Sequence, residues 1–134
     1  MKIEHVALQV ADPAAMADWY VQHLGFSVRR SSDEPVVARF MADSSGAVML
    51  EVYHNTKVPV PDYATMDPAL MHVAFVCDDL PSAIAGLTTA GASLLSGPEM
   101  IGEDELAMLR DPWGLAIQLA KRMRAMILLI RPES

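Results

Sequence analysis

A single cysteine, Cys77, stands in a chain of 134 residues, which excludes any disulfide within it. Its apolar surroundings predict a buried, inert thiol. Clustered positive charge is also missing. The formal net charge is −7, and the nearest thing to a basic patch is Lys121, Arg122 and Arg124, which read as a solvated edge. Nucleic-acid binding needs phosphate-facing cations in number, so that partner class is excluded. Long apolar runs are absent as well. Met126 to Ile130 falls far short of the roughly 20 residues that span a bilayer. The first residues enter a strand-like alternation with no leader-type apolar segment. Together these absences predict a soluble protein of a reducing cytoplasm, with neither a membrane nor a nucleic acid as partner.

What remains is globular in character. Apolar residues make up 52% of the chain and charged residues 20%, a balance that supports a buried core and argues against disorder. The length suits one domain, residues 1–134, and its plan is duplicated. His5-Val6-Ala7 returns as His72-Val73-Ala74 after a step of 67 residues, and the same step carries Glu51 onto Gln118. Four residues able to bind a metal thus share one period.

Read in order, residues 3–10 alternate, with Ile3, His5, Ala7 and Gln9 on one face of a strand and Val6, Leu8 and Val10 on the other. Asp12-Pro13 opens a helix that runs to about Leu24 and closes at Gly25, with Met16, Tyr20 and Leu24 on one side. Strands are predicted over 26–30, 36–42 and 47–54, the last placing Met49, Glu51 and Tyr53 on one face. Residues 55–69, with Pro59, Pro61 and Pro68, read as a linker. The plan then repeats over about 70–121. A strand spans 70–77, a helix begins at Asp79, and Gly91 stops it. Strands follow over 92–95, 106–110 and 115–120, with a loop through Gly97-Pro98 and Gly102 and a tight turn at Asp111-Pro112-Trp113-Gly114. The tail 122–134 has no counterpart, and its run Met126 to Ile130 is expected to cover the domain or a partner subunit.

A lone histidine in an apolar strand is more often a satisfied core group than a ligand. Glu51 resists that reading. A carboxylate between Leu50 and Val52 is disfavoured in a core unless paired or bound to a cation. Two equivalent His/acid or His/amide pairs therefore point to a divalent ion. Imidazole, carboxylate and amide oxygen suit Zn, Ni, Co, Mn or Fe(II). Arg39, Tyr53 and Arg110 lie on strands able to line a substrate pocket, as two possible anion holders and a neighbour of Glu51.

The motifs named so far, with Tyr20-Val21-Gln22-His23-Leu24-Gly25-Phe26, Leu50-Glu51-Val52, His72-Val73-Ala74-Phe75 and the stretch from Asp111 to Leu119, resemble the vicinal oxygen chelate superfamily. Glyoxalase I, methylmalonyl-CoA epimerase, extradiol dioxygenases, fosfomycin-modifying enzymes and bleomycin-binding proteins belong to it. The resemblance implies an α+β fold of two tandem βαβββ modules forming a half-open, barrel-like cup around the metal. It also implies His5, Glu51, His72 and Gln118 as the ligands of one divalent ion, Zn or Ni favoured, and a homodimer. Metal-dependent members usually carry glutamate where Gln118 stands. That departure removes one candidate base, leaves Glu51, and lowers the dioxygenase reading. The leading expectation is a glyoxalase I-like lyase or isomerase. It would abstract a proton beside a carbonyl of a small substrate chelated through vicinal oxygens, with Glu51 as base. The alternative is a non-catalytic binder of a bleomycin-type antibiotic, with an extradiol dioxygenase or fosfomycin-modifying transferase behind it.

Overall fold

The computed structural model describes residues 1–127, and the chain divides into two compact units, Met1–Asp62 and Tyr63–Ser134. In the first, β1 (His5–Gln9) is followed by α1 (Pro13–Leu24), β2 (Ser27–Ser32), β3 (Val37–Ala42) and β4 (Met49–His54). The Asp12 side chain caps α1 by accepting from the Ala15 N–H, and the Gly25 N–H closes the helix on the Tyr20 carbonyl. The strands form an open sheet in the order β1-β4-β3-β2, with β1 and β4 parallel. α1 packs across β3 and β4. Tyr20, Met16, Met41 and Val52 are fully buried there, each contributing on the order of 1.5–3 kcal/mol of burial. The opposite face of the sheet carries His5, Phe40, Glu51 and Tyr53.

The second unit repeats this order as β5 (Val73–Val76), α2 (Leu80–Thr89), β6 (Ser93–Ile101), β7 (Asp104–Arg110) and β8 (Ala116–Lys121), paired β5-β8-β7-β6. Asp79 caps α2 as Asp12 caps α1. Leu80, Leu87, Leu109 and Ile117 form its core. The duplication is accurate to the residue where it matters. Ala7 stands beside Glu51 in the first sheet and Ala74 beside Gln118 in the second. Across the hairpins, Phe40 pairs with Glu51 and Met108 with Gln118. Residues 43–48 link β3 to β4, whereas 111–115 link β7 to β8, so one residue is lost in the second turn.

Two stretches differ from expectation. β6 continues through Gly97 and Pro98 to Ile101 instead of ending at Leu95. Bulges between Leu94 and Ser96 and between Ser96 and Glu99 absorb the residues that read as a loop. Gly97 is required there, because a Cβ would lie 2.5 Å from the Leu106 carbonyl oxygen. The segment read as a linker holds a 3-10 turn, Tyr63–Thr65, with Tyr63 buried. Earlier in that segment, the buried Gln9 amide donates to the carbonyls of Asn55 and Val58. Cys77 is half-buried, not fully buried, and its thiol donates to the Asp79 carbonyl. Among the described residues no helix is long and apolar enough to cross a membrane. Met126 and Ile127 are exposed, and the rest of the apolar tail lies outside the described residues.

Candidate metal centre

Each unit holds one candidate pair. In the first, β1 and β4 run parallel with His5 opposite Met49 and Ala7 opposite Glu51, so His5 and Glu51 project from one face, diagonally adjacent. His5 Nε2 stands 3.4 Å from Glu51 Oε2, with the side chains 34% and 19% exposed. That distance exceeds the roughly 2.7–2.9 Å of a charge-assisted hydrogen bond. Two donors about 2.1 Å from a tetrahedral ion, however, lie about 3.4 Å apart. The spacing equals the separation that two ligands of one tetrahedral ion would have.

The imidazole is held from behind. His5 Nδ1 lies 2.9 Å from Glu4 Oε1, and its ring packs edge-to-face on Phe40 with centroids 5.3 Å apart. A carboxylate only accepts, so Nδ1 carries the proton, and in the neutral ring Nε2 keeps its lone pair. A carboxylate behind a histidine is the arrangement that fixes tautomer and raises basicity at metal sites. The competing arrangement is an imidazolium between Glu4 and Glu51.

His72 in the second unit repeats the device with a different acceptor. Its Nδ1 is 2.9 Å from the Pro68 carbonyl, which again assigns the proton to Nδ1 and leaves Nε2 free. It immediately precedes β5 and is exposed. Gln118 stands beside Ala74 and opposite Met108, on the face that His72 shares by alternation. A cavity of about 100 Å³ adjoins it, lined by Ser96, Glu99, Ile101, Leu106, Met108 and Gln118. Among the described residues no three His, Cys, Asp or Glu side chains lie together as a ready-made metal group.

The three pocket candidates separate. Tyr53 does share the Glu51 face, standing beside Gln9 and opposite Ala38. Arg39 is paired in register with Val52, on the helix-packed face, where it binds Asp33 at 2.9 Å and the carbonyls of Ser32 and Ala38. The Arg110 guanidinium donates to the carbonyls of Tyr63, Gly114 and Met66 at 2.9–3.0 Å. It binds the 3-10 turn to the 111–115 turn.

The same two-unit plan recurs in known proteins. A profile of the Glyoxalase/Bleomycin resistance protein/Dioxygenase superfamily matches residues 2–119. The chain belongs to that superfamily. Among superfamily relatives, a lactoylglutathione lyase of Haemophilus influenzae is 26% identical over 125 residues, 88% of this chain and 90% of the relative. A glyoxalase family protein from Enterococcus faecalis superposes with a TM-score of 0.69 at 26% identity, covering 90% of this chain and 97% of that one. The antibiotic binding protein TnmS3 of Streptomyces sp. CB03234 shares the fold at a TM-score of 0.69 and 19% identity, covering 90% of this chain and 95% of its own. Within this superfamily scaffold, sequence reasoning passed over Glu4, Arg30 and Glu99. Glu4 acts through its neighbour, which no periodicity reveals. Arg30 pairs with Phe40 and so belongs to the Glu51 face, but the bulge after Val28 hides that from simple alternation. Glu99 lay in the stretch read as a loop.

Proposed function

We propose that the chain is a metal-dependent, glyoxalase I-like isomerase of small hemithioacetals, with His5, Glu51, His72 and Gln118 as the donor set for one divalent ion, Zn or Ni favoured. The carrying observation is that both histidines set Nδ1 on an acceptor, which in the neutral ring leaves Nε2 to a cation, with Glu51 Oε2 3.4 Å from His5 Nε2. The similarity to proteins named lactoylglutathione lyases supports the same reading. When bound, the ion supplies Lewis-acid polarisation of a carbonyl and a chelating seat for two neighbouring oxygens.

The chain's own residues do the rest. Glu51 takes the proton from the carbon that bears sulfur and returns it to the neighbouring carbon. The hemithioacetal thereby becomes a 2-hydroxy thioester, with no oxidant or reductant involved. Glu4 and the Pro68 carbonyl orient the two imidazoles. The Gln118 amide accepts or donates hydrogen bonds and cannot serve as a base near neutral pH. The homodimer implied by the superfamily resemblance belongs to the same proposal, and sedimentation decides it.

One feature favours a second reading. An amide replaces the second carboxylate at Gln118, which suits a small-molecule binder needing no catalytic base. Thioester formation from methylglyoxal and a thiol, followed by ultraviolet absorbance with and without chelator, separates the two. Activity that is lost on chelation, returns with Zn or Ni and falls by about 10²–10⁴ in Glu51→Gln supports the isomerase. Undiminished turnover in Glu51→Gln with metal still bound overturns the base assignment.

A further inference from the structure

The cavity beside Gln118 has a sign. Leu106, Met108 and Ile101 make its apolar wall, and Ser96 and Glu99 supply its polar groups, with Glu99 the one charge. Ser96 pairs with Met108 and Glu99 with Leu106, so the bulged strand places both on the face that Gln118 shares. In a regular strand, residues three apart would point to opposite faces. Gly97 holds this geometry, since any side chain there would strike the backbone of Leu106 and Ala107.

Nothing on β7 or β8 neutralises Glu99. Arg110 is engaged by three carbonyls, and Arg122 is paired with Asp104 at 3.0 Å. Lys121 stands opposite Glu105, on the other face of the sheet from Gln118. Glu99 forms no ion pair among the described residues, and the whole chain carries a net charge of −7. The volume of about 100 Å³ is enough for one small terminal group.

We infer that this cavity is a subsite for a cationic substituent, and that the preferred substrate is a hemithioacetal whose thiol bears an ammonium group instead of carboxylates. The inference rests on the isomerase reading for its substrate and on the cavity alone for its charge preference. The apolar wall takes the methylene or methyl groups beside the nitrogen, and Glu99 faces the charge. A substrate carboxylate placed here meets the Glu99 carboxylate, while Arg110 and Arg122 are already engaged by backbone carbonyls and by Asp104.

The test supplies methylglyoxal with three thiols: 2-(dimethylamino)ethanethiol, 2-mercaptoethanol and 3-mercaptopropionate. Each hemithioacetal concentration is set from its own equilibrium constant, and kcat/KM is measured at low ionic strength. The cationic substrate is expected to exceed the anionic one by about tenfold, and Glu99→Gln to bring that ratio close to one. Glu99→Lys reverses it. Circular dichroism confirms that both variants are folded. Turnover that favours the anionic or neutral thiol, or a ratio unmoved by Glu99→Gln, overturns the subsite and leaves the isomerase standing. If no thiol is turned over, the isomerase reading fails, and the cavity is tested by NMR titration with ethylammonium against propionate. Saturable methyl shifts at Ile101, Leu106 and Met108 with ethylammonium alone, lost in Glu99→Gln, uphold the cation subsite. Equal or absent shifts overturn it.

Discussion

Replacing Arg110 with methionine separates a structural arginine from a substrate-binding one. The guanidinium donates three hydrogen bonds of 2.9–3.0 Å, to Tyr63, Gly114 and Met66, all backbone carbonyls and all part-buried. Methionine preserves most of the stem's packing and removes every donor. At a net value of roughly 1 kcal/mol per bond, the loss is about 3 kcal/mol. A chain of this length unfolds with a melting entropy on the order of 0.3 kcal/mol/K, so the melting temperature should fall by roughly 10 °C. Arg110→Lys keeps one donor and should recover a minor part of that loss. Differential scanning calorimetry gives the shift, and substrate titration of the same samples gives KM. A melting temperature within about 2 °C of the parent, combined with a raised KM, would refute the reasoning and make Arg110 a substrate contact.

Other outcomes follow from the same geometry. Glu4→Gln should weaken divalent-metal affinity by roughly ten- to a hundredfold without unfolding the chain, because it loosens the His5 imidazole; competition against a chromogenic chelator reads this. Gly114 has φ +91°, and a Cβ would lie 2.6 Å from the Ala64 backbone nitrogen, so Gly114→Ala should cost several kcal/mol in a denaturant titration, roughly 2–4. The Asp104 carboxyl is held below its ordinary pKa, first by the Met123 N–H and then by Arg122. A depressed folded-state pKa stabilises above the unfolded value, so this contribution is lost as pH falls through the lowered one. Asp104→Asn should accordingly flatten the acid limb of the melting-temperature profile below the ordinary aspartate range.

The duplicated architecture was legible because the two helices announce themselves with Asp caps and nearby prolines, and because alternation places His5, Ala7 and Gln9 together. Glu51 stood out as a carboxylate in an apolar strand, and the structure sets it beside His5. What escaped was whatever depends on backbone irregularity or on a carbonyl. The bulges of β6 move Glu99 onto the Gln118 face against the expected period of two. The Pro68 carbonyl that orients His72 leaves no trace in side-chain pattern. Arg39 and Arg110 sit on the strands that alternation assigned them, yet their guanidiniums serve the backbone, a choice made by tertiary neighbours.

The central claim concerns a cation held by both histidines. X-ray absorption at the Zn or Ni edge of stoichiometrically loaded protein reads this directly. One tightly bound ion is expected, with two imidazoles among nitrogen and oxygen donors at about 2.0–2.2 Å, and one imidazole fewer in either His5→Ala or His72→Ala. Spectra unchanged in both variants, or no tight binding by the parent protein, would contradict it.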